Sequence, residues 1–182
     1  VKDAIEKSGV VSSVGFQDRY LDVVDITKKY IDGREIGIVY GSWIGGIPGV
    51  AWWKIKEQSG GQVVEQNIHL FDLLRYFFGE ASAVYSVGMR GMVKDIPDYD
   101  VEGYSSTTIT FKNNVVATLF TGCYLDENAP DKGNGLRIVC RDARVEYDLR
   151  RSVRLIKRSN MKEYFSTQDQ GMLADRTFID AV

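Results

Sequence analysis

The sequence predicts an α+β fold, in which a predominantly antiparallel sheet of about six strands carries helices on one face. Two observations support this fold class. From Ala81 to Lys157 the chain consists of strand-like runs joined by short turns, and strands connected by so few residues must be antiparallel. Apolar residues at helical spacing occur before and after that stretch, as expected when helices and strands are segregated along the chain.

The first predicted element is a helix in KDAIEKSG that ends at Gly9, and a short strand in VVSSVGF follows it at once. A helix followed by a strand is half of a parallel crossover unit, and no further helix–strand repeats come after it. We therefore expect residues 1–20 to be the remnant of an upstream α/β domain. Residues 21–182 are expected to form the α+β domain.

The remaining elements follow in order. A helix is predicted over Asp22–Ile31, then a strand in REIGIVYGSWI, a Gly-Pro loop, and the strongest helix over Val63–Phe78, which closes on Gly79. The later strands are predicted at Ala81–Val93, Tyr104–Phe111, Val115–Tyr124, Gly135–Cys140, Ala143–Leu149 and Ser152–Lys157. The segment GMLADRTFIDAV has helical spacing again.

Composition excludes several functional classes. The net charge of −2 provides no basic surplus for a nucleic-acid backbone. No apolar run approaches the roughly 20 residues needed to cross a bilayer, and no signal segment is present, so we expect a cytoplasmic protein without a membrane partner. Cys123 and Cys140 lie in strand-like runs without metal-ligand spacing, and we expect buried, reduced thiols.

The strands also indicate a contact surface. In YSSTTITF and VVATLFTG both faces mix β-branched, aromatic and hydroxyl residues. A sheet whose free face is partly apolar usually meets another sheet or another subunit. The alternative is a threonine-rich face exposed to solvent.

The only histidine, His69, lies in the predicted helix Val63–Phe78. Glu65 precedes it by four residues and Asp72 follows it by three, so the three side chains are expected on one helical face. Nearby carboxylates favour the imidazolium and raise its pKa, which suits proton transfer near neutral pH. The alternative is a structural role for His69, as a hydrogen-bonded histidine at the boundary of the core. A metal site is disfavoured, because one helix rarely supplies a complete coordination sphere.

A pocket is expected beside this histidine. Gly60 and Gly61 permit a tight turn and a close approach of the backbone to a ligand, at the positive end of the helix. Trp52, Trp53 and Lys54, in the loop before them, could provide aromatic walls and one cation. Core packing is the ordinary alternative for the two tryptophans.

The residues resemble a known family. GGQVVEQNIHLFDLLRYFFGE is similar to the GG-x-x-x-D-x-x-x-H-x-x-D-L helix of the glucose-fructose oxidoreductase, inositol dehydrogenase (Gfo/Idh/MocA) family. VGFQDRY resembles that family's VGF-x-x-RY strand, AWWK its tryptophan-containing substrate loop, and DRTFIDAV the helix after its sheet. The resemblance spans nearly the whole chain, with the motifs in the family's order.

The resemblance implies the C-terminal domain of an NAD(P)-dependent oxidoreductase that acts on a sugar or polyol. It implies that His69 is the catalytic base and that Glu65, where the family usually has Asp, orients the imidazole. Asp72 falls on the next acidic position. The substrate-binding residues it suggests are Asp72, Trp53, Lys54, Arg19 and Tyr20, the last four near the rim of the pocket. Asp18 stands where some relatives carry a basic residue that contacts substrate.

The resemblance also implies that the nucleotide-binding domain, with its cofactor site and a catalytic lysine, would precede residue 1. We therefore expect the chain alone to bind no cofactor and to be inactive. Family members commonly associate through the open sheet face, so a homo-oligomer is expected. The alternative is a non-catalytic sugar-sensing or partner-binding module of the same fold.

Overall fold

A computed structural model describes residues 1–130 and 133–182 of the chain. Its helices are α1 (Lys2–Ser8), α2 (Asp22–Ile31), α3 (Lys56–Ser59), α4 (Gln62–Glu65), α5 (Ile68–Phe78) and α6 (Gln170–Ala181). Its strands are β1 (Ile36–Gly46), β2 (Ala81–Met89), β3 (Tyr104–Phe111), β4 (Val116–Leu125), β5 (Gly135–Cys140), β6 (Arg144–Asp148), β7 (Ser152–Ile156) and β8 (Met161–Phe165). Two 3-10 helices, Gln17–Tyr20 and Ala51–Lys54, complete the regular structure of the described residues.

The strands form one sheet in the order β2-β3-β4-β1-β5-β6-β7-β8. Consecutive strands from β2 to β4 and from β5 to β8 pair antiparallel, as their short connections predict. The prediction of about six antiparallel strands is wrong in two details. β8 adds a strand, and β1 lies between β4 and β5, where it pairs parallel with β4. A parallel pair is possible there because the long segment between β1 and β4 supplies the crossover.

Helices cover one face of the sheet, as predicted. α2 buries Val23, Val24 and Ile31, and α5 buries Leu70, Leu73, Leu74 and Phe78. These side chains pack in one core against inward-facing strand residues, among them Val39, Leu119, Ile138 and Tyr147. The opposite face of the sheet exposes large side chains, among them Tyr40 and Phe120.

The helix predicted over Val63–Phe78 is divided into α4 and α5. The break falls at Gln66 and Asn67, where the Asn67 backbone N–H and side-chain Nδ2 both donate to the carbonyl oxygen of Gln62, at 3.0 and 3.1 Å. An asparagine side chain that bonds to the backbone competes with the regular helical pattern. Glu65 and His69 therefore lie on different helices.

The predicted strand in VVSSVGF does not form. α1 buries no residue, and residues 10–15 have no regular structure, with Val10, Val11 and Val14 largely exposed. A segment without a neighbouring strand gains no backbone hydrogen bonds from an extended conformation. None of the eight strands pairs with residues 10–16. The assignment of residues 1–20 to a remnant of another domain stays a prediction.

Two smaller expectations concern the cysteines and membrane crossing. Cys123 and Cys140 are buried free thiols, as predicted. No helix in the described ranges combines the length and apolar character that a membrane span requires.

We expect Gly41→Ala to lower the free energy of unfolding by about 2 to 3 kcal/mol. A Cβ atom at position 41 would lie 2.2 Å from the carbonyl oxygen of Gly135, so β1 and β5 would have to separate. Gly37→Ala, on the same strand, meets nothing within 4 Å and should change stability by at most about 0.5 kcal/mol. Urea unfolding of both variants measures the difference, and equal losses would contradict the close-approach explanation.

Candidate active site

The start of α5 is anchored to the sheet and places His69 in its first turn. Gln62, which is 1% exposed, donates from Nε2 to Thr121 Oγ1 at 2.9 Å and Ser105 Oγ at 3.2 Å. Asn67, the residue before α5, donates to the Gln62 side chain as well as to its carbonyl oxygen. This buried network connects strands β3 and β4 to Asn67, the residue that precedes α5.

His69 is partly exposed and stacks on Trp43 of β1. The two ring centroids lie 6.1 Å apart with an interplanar angle of 29°. Its Nδ1 atom is buried and has no hydrogen-bond partner among the described residues, whereas Nε2 is not among the buried, unpartnered atoms. The ring thus has one sealed nitrogen and one edge toward solvent.

Burial lowers the pKa of the His69 imidazole below its ordinary value of 6.5. The charge of Asp18 raises the pKa, that of Arg150 lowers it, and Asp72 and Glu65 raise it less than Asp18 does. The predicted rise in pKa is therefore wrong, because desolvation outweighs the carboxylates. The ring is neutral at pH 7 and can accept a proton.

Glu65 turns away from His69 and accepts a hydrogen bond from Trp53 Nε1 at 2.5 Å. Trp53 is 0% exposed and packs with Val101 and Cys123, so its predicted position at the rim of a pocket is wrong. Burial, with the charge of Glu65, raises the pKa of the Cys123 thiol to about 12, which leaves that thiol protonated. Glu65 therefore acts on His69 only through its charge.

Asp72 and Arg19 bind each other. Arg19 Nε lies 2.7 Å from Asp72 Oδ2 and its Nη2 lies 2.5 Å from Oδ1, which is a bidentate pair. The hydrogen bond to Asp72 raises the pKa of Arg19, and the guanidinium carbon lies 5.1 Å from the ring centroid of Tyr76. The pair connects the 3-10 helix Gln17–Tyr20, which precedes α2, with helix α5.

The other predicted pocket residues lie apart from one another. Lys54 Nζ donates to the carbonyl oxygen of Pro97 at 3.0 Å. Tyr20 lines a cavity of about 200 Å³ with Phe178 of α6. The Gly60–Gly61 turn lines a different cavity, of about 340 Å³, and His69 is not among the residues lining either one. The residues that the sequence placed around a single pocket thus lie in separate parts of the structure.

Three further residues act on His69 or contact it and were not assigned to the site from the sequence: Asp18, Arg150 and Trp43. Asp18 is 1% exposed and its Oδ1 accepts from Arg150 Nε at 2.7 Å. The guanidinium carbon of Arg150 lies 5.1 Å from the ring centroid of Trp43. Arg150 belongs to the turn between β6 and β7 and no local pattern marks it, whereas alternation along β1 could have placed Trp43 on the core side.

The sequence matches a known family. Residues 28–146 match the model described as the GFO/IDH/MocA C-terminal domain. The chain belongs to this family. Over 110 residues it is 26% identical to scyllo-inositol 2-dehydrogenase (NAD(+)) of Bacillus subtilis strain 168, covering 60% of the chain and 32% of that enzyme.

Solved structures share the fold of this Gfo/Idh/MocA domain. Levoglucosan dehydrogenase, in complex with NADH and levoglucosan, superposes with a TM-score of 0.73 at 21% identity, over 98% of this chain and 57% of that one. Biliverdin reductase from Synechocystis sp. PCC 6803, with biliverdin and NADP+, has a TM-score of 0.77 at 15% identity, over 97% and 55%. The domain spans 18% to 32% of the length of the curated relatives it matches.

We expect Arg150→Met to lower the free energy of unfolding of this Gfo/Idh/MocA domain by about 3 kcal/mol, because it leaves the Asp18 carboxylate buried without a cation. Methionine keeps a side chain at the same φ of 59°, so the backbone conformation contributes equally in both proteins.

Arg141→Met is the control. Arg141 pairs with Glu35 at 3.0 Å, but the side chains are 81% and 74% exposed, and such pairs contribute about 0 to 1 kcal/mol. Urea unfolding at pH 7 compares the two variants. A loss for Arg150→Met no larger than that for Arg141→Met would contradict the buried-pair assignment.

Proposed function

We propose that this chain is the substrate-binding and catalytic-histidine domain of an NAD(P)-dependent oxidoreductase that oxidises a hydroxyl group of a sugar or polyol. The observation that carries the proposal is His69: a neutral imidazole with one edge toward solvent, in a chain of the Gfo/Idh/MocA family. A neutral imidazole within hydrogen-bond reach of a hydroxyl is a suitable general base.

The chain's own part in the reaction is to bind the substrate hydroxyl and hold its proton. Oxidation of an alcohol to a carbonyl removes a hydride from carbon and a proton from oxygen, and His69 Nε2 accepts the proton. Glu65 and Asp72 favour the resulting imidazolium through their charges. Asp72 and Arg19 bind each other, and Trp53 donates to Glu65. We therefore propose that these three residues hold the site in place and do not bind the substrate directly.

We infer that the described residues do not form a dinucleotide site by themselves. The sequence has no G-x-G-x-x-G turn, and the eight-stranded sheet is mostly antiparallel, unlike the parallel sheet that carries such a turn. A bound nicotinamide would accept the hydride, and we place it on a further domain of a longer polypeptide. The chain alone is accordingly expected to be inactive.

The relatives favour a polyhydroxylated substrate. Scyllo-inositol and levoglucosan, in the names of two of them, carry several hydroxyl groups, whereas biliverdin does not. Since fold does not fix function, the choice of a sugar or polyol rests on the base at His69 and on the sequence relative.

In the longer polypeptide, we expect His69→Ala to lower kcat by a factor of roughly 10² or more, because the alcohol proton loses its acceptor. Formation of NADH or NADPH is followed by the absorbance of the reduced nucleotide, with each member of a panel of sugars and polyols as substrate. Lys162→Ala, an exposed change on β8, is the control and should leave kcat unchanged.

The same assay tests the alternative. Turnover that is unchanged in His69→Ala would contradict the base assignment. Saturable binding of a sugar without turnover, in a polypeptide that also carries a nucleotide-binding domain, would favour a sensing module. Nicotinamide reduction by the 182-residue chain alone would contradict its predicted inactivity.

We also propose that the chain forms a homo-oligomer through the open sheet face. Directly paired strands place Ile38 beside Val116 and Ser42 beside Phe120 on that face, and Tyr40, Tyr85 and Phe120 are 43%, 72% and 47% exposed. Covering such a patch removes apolar surface from water.

We expect Phe120→Lys to reduce the molar mass in light scattering after gel filtration from that of an oligomer to that of a monomer, because a cation would be buried in the interface. Met172→Lys on α6, an equally apolar exposed position at 72%, is the control and should keep the oligomer. A wild-type chain that remains a monomer at every concentration measured would contradict the proposed association.

A further inference from the structure

His69 lies against Trp43, an aromatic residue near the end of β1. Alternation along β1 places Val39 and Trp43 on the side of the sheet that the helices cover, and Trp43 packs against the core there. In the sheet Trp43 lies opposite Thr121 of β4, whose Oγ1 accepts from Gln62 at 2.9 Å. The strand pair that anchors the start of α5 thus also carries the indole that contacts the first turn of that helix.

The described residues give the His69 ring no hydrogen bond at Nδ1, although that atom is buried. The three carboxylates whose charges act on the ring bind other side chains, namely Asp72 with Arg19, Glu65 with Trp53, and Asp18 with Arg150. An imidazole that acts as a base is usually oriented by a hydrogen bond to its other nitrogen. A different contact must therefore orient the His69 ring.

The indole of Trp43 provides that contact. The two ring centroids are 6.1 Å apart and the ring planes differ by 29°, a stacked arrangement within the range that aromatic pairs prefer. The χ2 torsion of a histidine is only loosely restrained by its own side chain, so a stacked neighbour has a large effect on it. The imidazole cannot turn about its Cβ–Cγ bond without losing the stack. The contact therefore sets the direction in which Nε2 of His69 points.

Arg150 in turn restrains the indole. Its guanidinium carbon lies 5.1 Å from the Trp43 ring centroid, within the range of a cation–π contact. Arg150 is itself held by Asp18 Oδ1, which accepts from Nε at 2.7 Å, and by its own backbone N–H, which donates to Tyr147 Oη at 3.1 Å. Trp43 therefore has a fixed neighbour of its own, and His69 stacks on a ring that is already supported.

We propose that Trp43 is the positioning residue of His69: its indole fixes the plane of the imidazole by stacking, in the role that a hydrogen-bonded carboxylate has in many enzymes. The imidazole edge that carries Nε2 is thereby held toward solvent, from which a substrate hydroxyl approaches. The effect of Trp43 on catalysis rests on the proposed function, whereas the stack itself does not.

Proton nuclear magnetic resonance of the chain tests the stack, since His69 is its only histidine and gives one set of imidazole signals. We expect nuclear Overhauser contacts between the carbon-bound ring protons of His69 and the indole protons of Trp43. The ring current of the indole should also shift the His69 ring signals, so that Trp43→Leu moves them toward the values of a histidine in a short peptide. Trp43→Phe, which keeps an aromatic ring, should retain part of the shift.

Trp52→Leu is the matched control for the spectra, because it makes the same change at a tryptophan that is 44% exposed, and it should leave the His69 signals in place. In the longer polypeptide, Trp43→Leu should lower kcat about tenfold or more with little change in KM, because a freely turning imidazole seldom points its lone pair at the bound hydroxyl. Trp43→Phe should recover most of the lost kcat, because it retains a stacking surface.

A wild-type chain without Overhauser contacts between His69 and Trp43 overturns the proposal, and so do His69 signals that stay in place in folded Trp43→Leu. An unchanged kcat in Trp43→Leu, or an equal loss in Trp43→Phe, also overturns it. If Trp43→Leu fails to fold, the wild-type contacts and the Trp43→Phe variant decide. If the longer polypeptide oxidises no sugar or polyol, the proposed function fails, and the spectra decide the stack by themselves.

Discussion

The candidate site depends on one buried amide, that of Gln62. Its Nε2 atom donates to two hydroxyl groups on neighbouring strands, and its Oε1 atom accepts from the side chain of Asn67, the residue before α5, which also donates to the Gln62 backbone carbonyl oxygen. Each bond satisfies a polar group that burial would otherwise penalise. The break between α4 and α5 is therefore fixed to the sheet, and it directs Glu65 toward Trp53 while His69 faces Trp43. A continuous helix would have placed both side chains on one surface.

The position of β1 is the second determinant. Because β1 pairs parallel with β4 and antiparallel with β5, it lies at the middle of the sheet and joins two antiparallel halves. Trp43 on this strand is thereby placed beneath α5 and beside the turn that carries Arg150. The same strand presents Tyr40 on the open face. One central strand thus contributes to both the candidate active site and the surface proposed for association.

The sequence predicted what depends on local pattern. The apolar spacing in α2 and α5 identifies the helices and their buried faces, and short turns identify the antiparallel strands. It could not predict contacts that depend on the pairing of distant segments. Asp18 and Arg150 are 132 residues apart, and a turn arginine carries no sign of its partner. The Glu65–His69 pair was wrongly expected because side-chain competition at Asn67, which ends the helical register, has only a weak sequence signal.

Charge and burial act in opposite directions on His69, and the balance decides what the ring can do. Burial disfavours the imidazolium, and the positive charge of Arg150 acts in the same direction, whereas Asp18, Asp72 and Glu65 oppose both. Since the pKa is lowered, burial and the cation prevail in the resting state, and the ring is free to accept a proton. Once it has done so, the same carboxylates stabilise the cation. The base that we propose at His69 must be neutral before the reaction and tolerated as a cation during it, and the balance of burial and Arg150 against the three carboxylates is consistent with both requirements.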